Sequence, residues 1–163
     1  MTKSIRSVKS KINISQLKKG LVVPLSIDFK AGDKIIINGA VIENLGSNST
    51  ISIHNQAAIL RGKEVLSAED STTPASRIYF ALQCAYIFPQ NRGEYIEGYV
   101  NLLDEYLQAC PSAKSIADGI QASVDKGQLY KALKTTQDLI KHEAEILCAL
   151  QQNLGEVAQE DAP

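Results

Sequence analysis

Tryptophan is absent from this 163-residue chain, and methionine occurs once and phenylalanine three times. Six tyrosines carry most of the aromatic content, side chains that combine an apolar ring with a polar tip. Histidine occurs only at positions 54 and 142, and cysteine only at 84, 110 and 148. Three widely spaced cysteines do not make a disulfide framework. With no C-x-x-C pair and two isolated histidines, a zinc site is not expected either. Cys84 and Cys148 fall in apolar helical patterns and read as small core side chains. No apolar run approaches the roughly 20 residues that a membrane helix needs. The basic N-terminal stretch lacks the apolar segment of a secretory signal. The expected setting is therefore cytoplasmic, without membrane contact.

Catalytic patterns are missing as well. There is no Gly-rich phosphate loop, no nucleophile elbow and no metal-spaced histidine cluster. His142-Glu143 has no second histidine four residues on. His54 lies at a strand end. The adjacent carboxylates Asp104 and Glu105 would point to different faces of a helix. No catalytic residue, metal or cofactor is expected, and the chain does not read as an enzyme.

What is present begins with an uneven charge distribution. Lys3, Arg6, Lys9, Lys11, Lys18 and Lys19 fall in the first 20 residues with no acid among them, whereas the other 143 hold 11 basic and 18 acidic side chains, a balance of −7. A basic arm on an acidic body points to a polyanionic partner or to a solvated leader. Residues 1–20 are rich in Ser and Lys and poor in large apolar groups, so they are expected to be disordered, with room for a short amphipathic helix near Ile12–Leu17.

Residues 21–70 read as an antiparallel β lobe of four to five short strands, laid out as a meander. Leu25, Ile27 and Phe29 alternate with Ser26 and Asp28. Ala31-Gly32-Asp33 turns the chain, Lys34–Ile37 follows, and Asn38-Gly39 is a hairpin turn before Ala40–Glu43. Thr50–His54 alternates again, and segments 57–60 and 63–66 are expected to pair around Gly62.

The stretch Thr72-Thr73-Pro74-Ala75-Ser76-Arg77-Ile78-Tyr79-Phe80 switches the chain from period two to period 3.6. Thr73 can cap a helix, and Pro74 suits its first position. About four helices are expected over 71–154. They run over 75–87, 93–109, a third capped by Ser112 and ending near Gly127, and a fourth over 128–153, with an acidic mobile tail at 155–163. The fourth carries a near-heptad stripe, Leu129, Leu133, Thr136, Ile140, Leu147, Leu150 and Leu154, broken by Glu143. Such a stripe fits core packing or a seam between two copies of the chain. The fold class is thus α+β, a small antiparallel sheet followed by a helical bundle.

Three segments carry a resemblance to a known family: PLSIDFKAGDKIIINGAVIEN at 24–44, AILRGKEVL at 58–66 with TTPASRIYF at 72–80, and LYKALKTTQDLIKHE at 129–143. Together they resemble FlbT, bacterial regulators of flagellin synthesis. The resemblance implies a cytoplasmic, non-catalytic protein that binds the 5′ untranslated leader of flagellin mRNA and controls its stability or translation as the flagellum is assembled. Two features depart from the family. Residues 1–20 form an extension, and Ser76 stands where a first basic residue often follows TTPA, leaving Arg77 alone.

The residues expected to hold RNA are Lys30, Lys34, Arg61, Lys63 and Arg77 around the sheet and its junction with the helices, together with Lys18 and Lys19 of the arm. Arg77 can alternatively pair with Glu69 or Asp70. Tyr79, Phe80 and Tyr86 can stack bases or fill a core. The competing reading is a protein adaptor that binds flagellin or another flagellar regulator through its helices. Homo-oligomerisation through the helical lobe is compatible with both.

Overall fold

The computed structural model describes the backbone of residues 24–160 and the side chains of residues 24–152. It is an α+β fold, as the sequence leads one to expect. Five strands come first: β1 (Leu25–Phe29), β2 (Lys34–Ile37), β3 (Ala40–Glu43), β4 (Ser49–Ile53) and β5 (Ile59–Arg61). Four helices follow: α1 (Pro74–Ile87), α2 (Arg92–Ala109), α3 (Lys114–Asp125) and α4 (Leu129–Glu160).

The strands do not form a meander. β1 pairs antiparallel with β4, and a separate sheet has the order β3-β2-β5. Side-chain alternation explains the division. Ile27 and Phe29 of β1 bury against Ile35 and Ile37 of β2, with Ile51, Ile53 and Ile59 around them. β1 and β2 therefore meet face to face across a small core. The intervening turn is fixed by the Asp33 carboxylate, which accepts from the Lys30 amide at 2.9 Å. Asn44 carries the chain back to the first sheet, its side-chain amide donating to the carbonyls of Phe29 (2.8 Å) and Ser47 (2.9 Å).

The β2 run Ile35-Ile36-Ile37 is apolar on both faces, and both are used. Ile35 and Ile37 face the small core, while Ile36 and Leu60 of β5 join the helical core. The three-stranded sheet is thus a middle layer between the β1–β4 ribbon and the helices. The Asn38-Gly39 hairpin turn forms as expected, with φ of 48° and 83°. A Cβ at Gly39 would lie 2.7 Å from the Phe88 ring, so close approach as well as backbone sign calls for glycine there. Segments 57–60 and 63–66 do not pair around Gly62. Residues Gly62–Glu64 form a 3-10 turn, because the Arg61 amide and the Glu64 side chain close a local cap at 3.4 Å.

α1 is central, packing on both α2 and α4, while α3 packs on α4. Its start is a reciprocal cap. The Thr73 hydroxyl accepts from the Ser76 amide at 3.2 Å, and the Ser76 hydroxyl accepts from the Thr73 amide at 2.8 Å. Ile78, Leu82, Tyr99, Leu103, Ile120, Leu133 and Leu139 fill the core between the helices. Thr136 sits fully buried in the α4 stripe because its hydroxyl donates back to the Ala132 carbonyl at 2.8 Å.

Four details differ from expectation. Ser112 does not cap α3, because Pro111–Ala113 forms a 3-10 turn ahead of it. Its hydroxyl meets the His142 ring at 3.3 Å instead. Cys84 is buried, but Cys148 is exposed, since α4 outruns the other helices at that point. For the same reason the stripe leaves the core at Leu147 and Leu150, about half exposed. α4 continues to Glu160, past the end expected at 153.

Candidate functional site

The two lobes are joined by one polar row on α1. Tyr79, Gln83 and Tyr86, spaced by four and three residues, lie along one side of the helix. The Tyr79 hydroxyl donates to the Glu64 carbonyl at 2.8 Å. The Gln83 amide group clamps the backbone of Leu66, accepting from its N–H at 2.8 Å and donating to its carbonyl at 2.7 Å. The Tyr86 hydroxyl accepts from the Ile59 amide at 3.2 Å. Tyr79 and Tyr86 therefore hold the β lobe in place, and burial raises the Tyr79 pKa.

Along this seam the first turn of α4 faces β5 and the end of α1. Gly127, with φ of 68°, closes α3 through a bond from the Gln128 amide to the Ser123 carbonyl at 2.9 Å, which sets where α4 begins. Tyr130 then meets Tyr86 at a ring-centroid distance of 5.8 Å and a tilt of 42°. The Tyr130 hydroxyl donates to the Glu64 carboxylate at 2.7 Å, Lys134 donates to the same oxygen at 2.6 Å, and the Lys134 ammonium lies 5.4 Å from the Tyr130 ring centre. Burial acts to raise the Glu64 pKa, but the bonds from Lys134 and Tyr130 and the Lys134 charge outweigh it and hold the carboxyl below its ordinary value. The bond to Glu64 in turn raises the Lys134 pKa.

The tyrosine pair separates two cavities. On one side is an open cleft of about 850 Å³, lined by Asn38, Gln56, Ala57, Ala58, Tyr86, Pro89, Arg92 and Gly127–Lys131. Among the described residues no Asp or Glu lines it, while Arg92 and Lys131 do. On the other side is a smaller pocket of about 310 Å³, with Arg61 and Glu64 in its wall. Arg61 also borders a third pocket with Lys34, Asp28 and Asp33. Cations thus border all three cavities, and β5 itself lines the two smaller ones.

The residues expected to hold RNA are only partly brought together. Lys34 and Arg61 border one pocket, but Asp28 and Asp33 share it, and Lys34 pairs with Glu43 across the β2–β3 ladder at 3.6 Å. Lys30 lies beside Asp28 in a separate shallow pocket. Lys63 is exposed on the 3-10 turn. Lys18 and Lys19 lie outside the described residues. Arg77 is elsewhere, in a groove of about 290 Å³ between α1, α2 and α4, with Leu102, Tyr106, Ile146, Leu147, Glu105 and Glu143. It makes no ion pair with Glu69, Asp70 or any other described residue. Ser76 is occupied in the reciprocal cap with Thr73.

Sequence reasoning passed over Arg92, Lys131, Tyr130 and Lys134. It also treated Glu143 as a flaw in an apolar stripe. Glu143 is buried and accepts from the Ala75 amide at 3.0 Å, satisfying the α1 start from a helix 68 positions away. The signal for Tyr130, Lys131 and Lys134 was the combination of a helix start and a Tyr-Lys pair in LYKALKTTQDLIKHE, whereas Arg92 opens α2 with no such pattern. The nearness of that segment to the Asn38-Gly39 hairpin was not visible locally.

A family model described as flagellar protein FlbT matches residues 25–147, from the first strand well into α4. The chain belongs to the FlbT family. A relative from Rhodopseudomonas palustris, named "Probable flagellum biosynthesis repressor protein FlbT", is 34% identical over 125 residues, covering 77% of this chain and 98% of the relative. The Caulobacter vibrioides protein "Flagellum biosynthesis repressor protein FlbT" is 31% identical over 127 residues, covering 77% of this chain and 90% of its own length. A further relative from Caulobacter sp. strain K31 is 32% identical over 123 residues. These FlbT relatives are named as repressors, not as enzymes. No solved structure matches the chain. No helix among the described residues is long and apolar enough to cross a membrane.

Proposed function

We propose that this protein represses flagellum biosynthesis after transcription, in the cytoplasm, by binding the 5′ leader of flagellin mRNA and controlling that message's stability or translation. Membership of a family whose curated members are named as flagellum biosynthesis repressors supports the regulatory part. The observation that carries the RNA part is the seam cleft, which presents cations and tyrosines without carboxylates on a body that is net acidic. Such a local reversal of charge is what a polyanion needs in order to be steered to one place.

The test is binding of the purified full chain to the flagellin leader over a salt series, beside a chain with Lys18 and Lys19 changed to Gln. Affinity that falls steeply with salt is expected. Loss of most of the affinity at low salt in the Lys18/Lys19 variant, with a shallower salt slope, would move the site into the arm. Absence of binding at low salt would defeat the reading.

A second reading has its own observation. The Arg77 groove is mostly apolar, the hydroxyl of buried Tyr106 has no partner among the described residues, and Leu147 and Leu150 extend the apolar surface along α4. This surface suits a protein partner: flagellin, another flagellar regulator or a second copy of the chain. Co-purification with flagellin, and no affinity for its leader, would favour it.

A further inference from the structure

The seam cleft has a more specific character than positive charge. Tyr130 is 42% exposed yet held on several sides, by Glu64 on its hydroxyl, Lys134 over its ring and Tyr86 beside it. An aromatic ring fixed in advance and still open to solvent is a platform on which a base can stack at little cost in side-chain entropy. The side-chain amides of Gln56 and Gln128, in the same cleft, make no hydrogen bond to another described residue. Each offers a donor and an acceptor of the kind that reads a base edge. Lys131 is exposed, and Arg92 is fixed by its Nε–H donating to the Ala85 carbonyl at 3.2 Å. The positive end of α4 adds to these two cations. A volume of about 850 Å³ is large enough for more than one nucleotide.

We propose that the cleft between Tyr86, Tyr130, Arg92 and Lys131 is a slot for unpaired nucleotides of single-stranded RNA. A base stacks on Tyr130, flanking phosphates lie against Lys131 and Arg92, and Gln56 and Gln128 face the base edges. The assignment rests on the RNA-binding reading above and adds the strandedness and the place. It sets aside Lys30 and Arg77 as contacts, since one sits beside Asp28 and the other on the far groove. Duplex RNA fits poorly, because its bases are already stacked on each other and cannot reach a side-chain ring.

The experiment uses the full chain with a short single strand from the flagellin leader and the same strand annealed to its complement. Tyr130→Ala is expected to weaken single-strand binding about tenfold. Tyr130→Phe, which keeps the ring and loses the bond to Glu64, should bind within about twofold of the parent chain. Lys131→Gln should lower the salt slope by about one. Ultraviolet crosslinking of the unaltered protein should place the RNA on the peptide holding Tyr130, a readout independent of any variant's stability. If the parent chain binds the leader but Tyr130→Ala binds equally well, or crosslinks map elsewhere, the slot is wrong while RNA binding stands. Equal affinity for the duplex also overturns the slot. If the parent chain binds neither strand form, the slot and the RNA reading fall together.

Discussion

The two grooves beside α1 differ in what lines them and in what they require of the sequence. The seam cleft is polar, free of described carboxylates and bordered by a tyrosine pair. The Arg77 groove is mostly apolar, and its one cation shares the space with Glu105 and Glu143. Basic residues counted along the sequence favour Arg77, because it follows a distinctive helix start. Once folded, Lys131 and Arg92 share a cleft that no described carboxylate lines, although neither stands in a basic run. Charge density along a chain is therefore a poor guide to the field at a surface. What decides the field is whether the fold interleaves carboxylates among the cations.

The largest expected effect comes from breaking the polar seam itself. Gln83 is buried and satisfies both backbone groups of Leu66. Gln83→Leu leaves an amide and a carbonyl unpaired, and a cost of about 2–4 kcal/mol is expected from two such losses. Chemical denaturation measures it through the shift in midpoint. A shift below about 0.5 kcal/mol would mean that the seam is not held by this clamp. The apolar side gives the contrast. Glu143→Ala removes the acceptor for Ala75, and about 1–2 kcal/mol is expected, largely recovered in Glu143→Gln because an amide oxygen still accepts. Recovery in Gln would separate capping from charge at this site.

Gly39 sharpens the same comparison from the β side. Gly39→Ala places a Cβ against Phe88 at a residue with positive φ, and about 1–3 kcal/mol is expected. Because Phe88 ends α1 near the cleft, this variant should also weaken binding of single-stranded RNA, whereas Glu143→Gln should not. Loss of affinity in both variants would indicate a general effect of stability on binding.

The division between legible and illegible follows from range. Strand alternation at Ile27 and Phe29, the Asn38-Gly39 turn and the Thr73-Pro74 helix start are set by neighbours a few residues apart and read correctly, while Leu25, on the same alternation, is exposed. The Ile35-Ile36-Ile37 run also held a usable signal, since a strand apolar on both faces belongs between two layers and not in an open meander. Pairing of β1 with β4 was not legible, because it depends on which faces meet across the small core. The stripe on α4 reads correctly up to Ile140 and misleads at Leu147 and Leu150, where the neighbouring helices end. Glu143 reads as a defect until the start of α1 is placed beside it. The seam cleft joins residues from positions 38 to 131, and nothing local to Tyr130 or Lys131 marks them as its wall.

The smallest effect tests the Glu64 contact that holds Tyr130. A carboxyl whose pKa is lower in the folded than in the unfolded chain contributes stability that is present above the unfolded pKa and lost as pH falls through the folded one. Glu64 is such a group, lowered from an ordinary value of 4.5, so its contribution is complete at neutral pH and fades in acid below that value. Lys134 has the opposite sign: raised from 10.5, it contributes below that pH and is lost as pH climbs through its higher folded value. The contact is therefore fully formed between those limits. Since the Lys134 side chain is 46% exposed, solvent screens the pair, and Glu64→Gln is expected to cost no more than about 1 kcal/mol at neutral pH. The difference in stability between Glu64→Gln and the parent chain should shrink toward zero as pH falls below 4.5. A difference that stayed constant with pH would show that Glu64 acts through hydrogen-bond geometry and not through charge. In that case Tyr130 would keep its orientation in acid, and single-stranded RNA would bind there with its affinity little changed by protonation of Glu64.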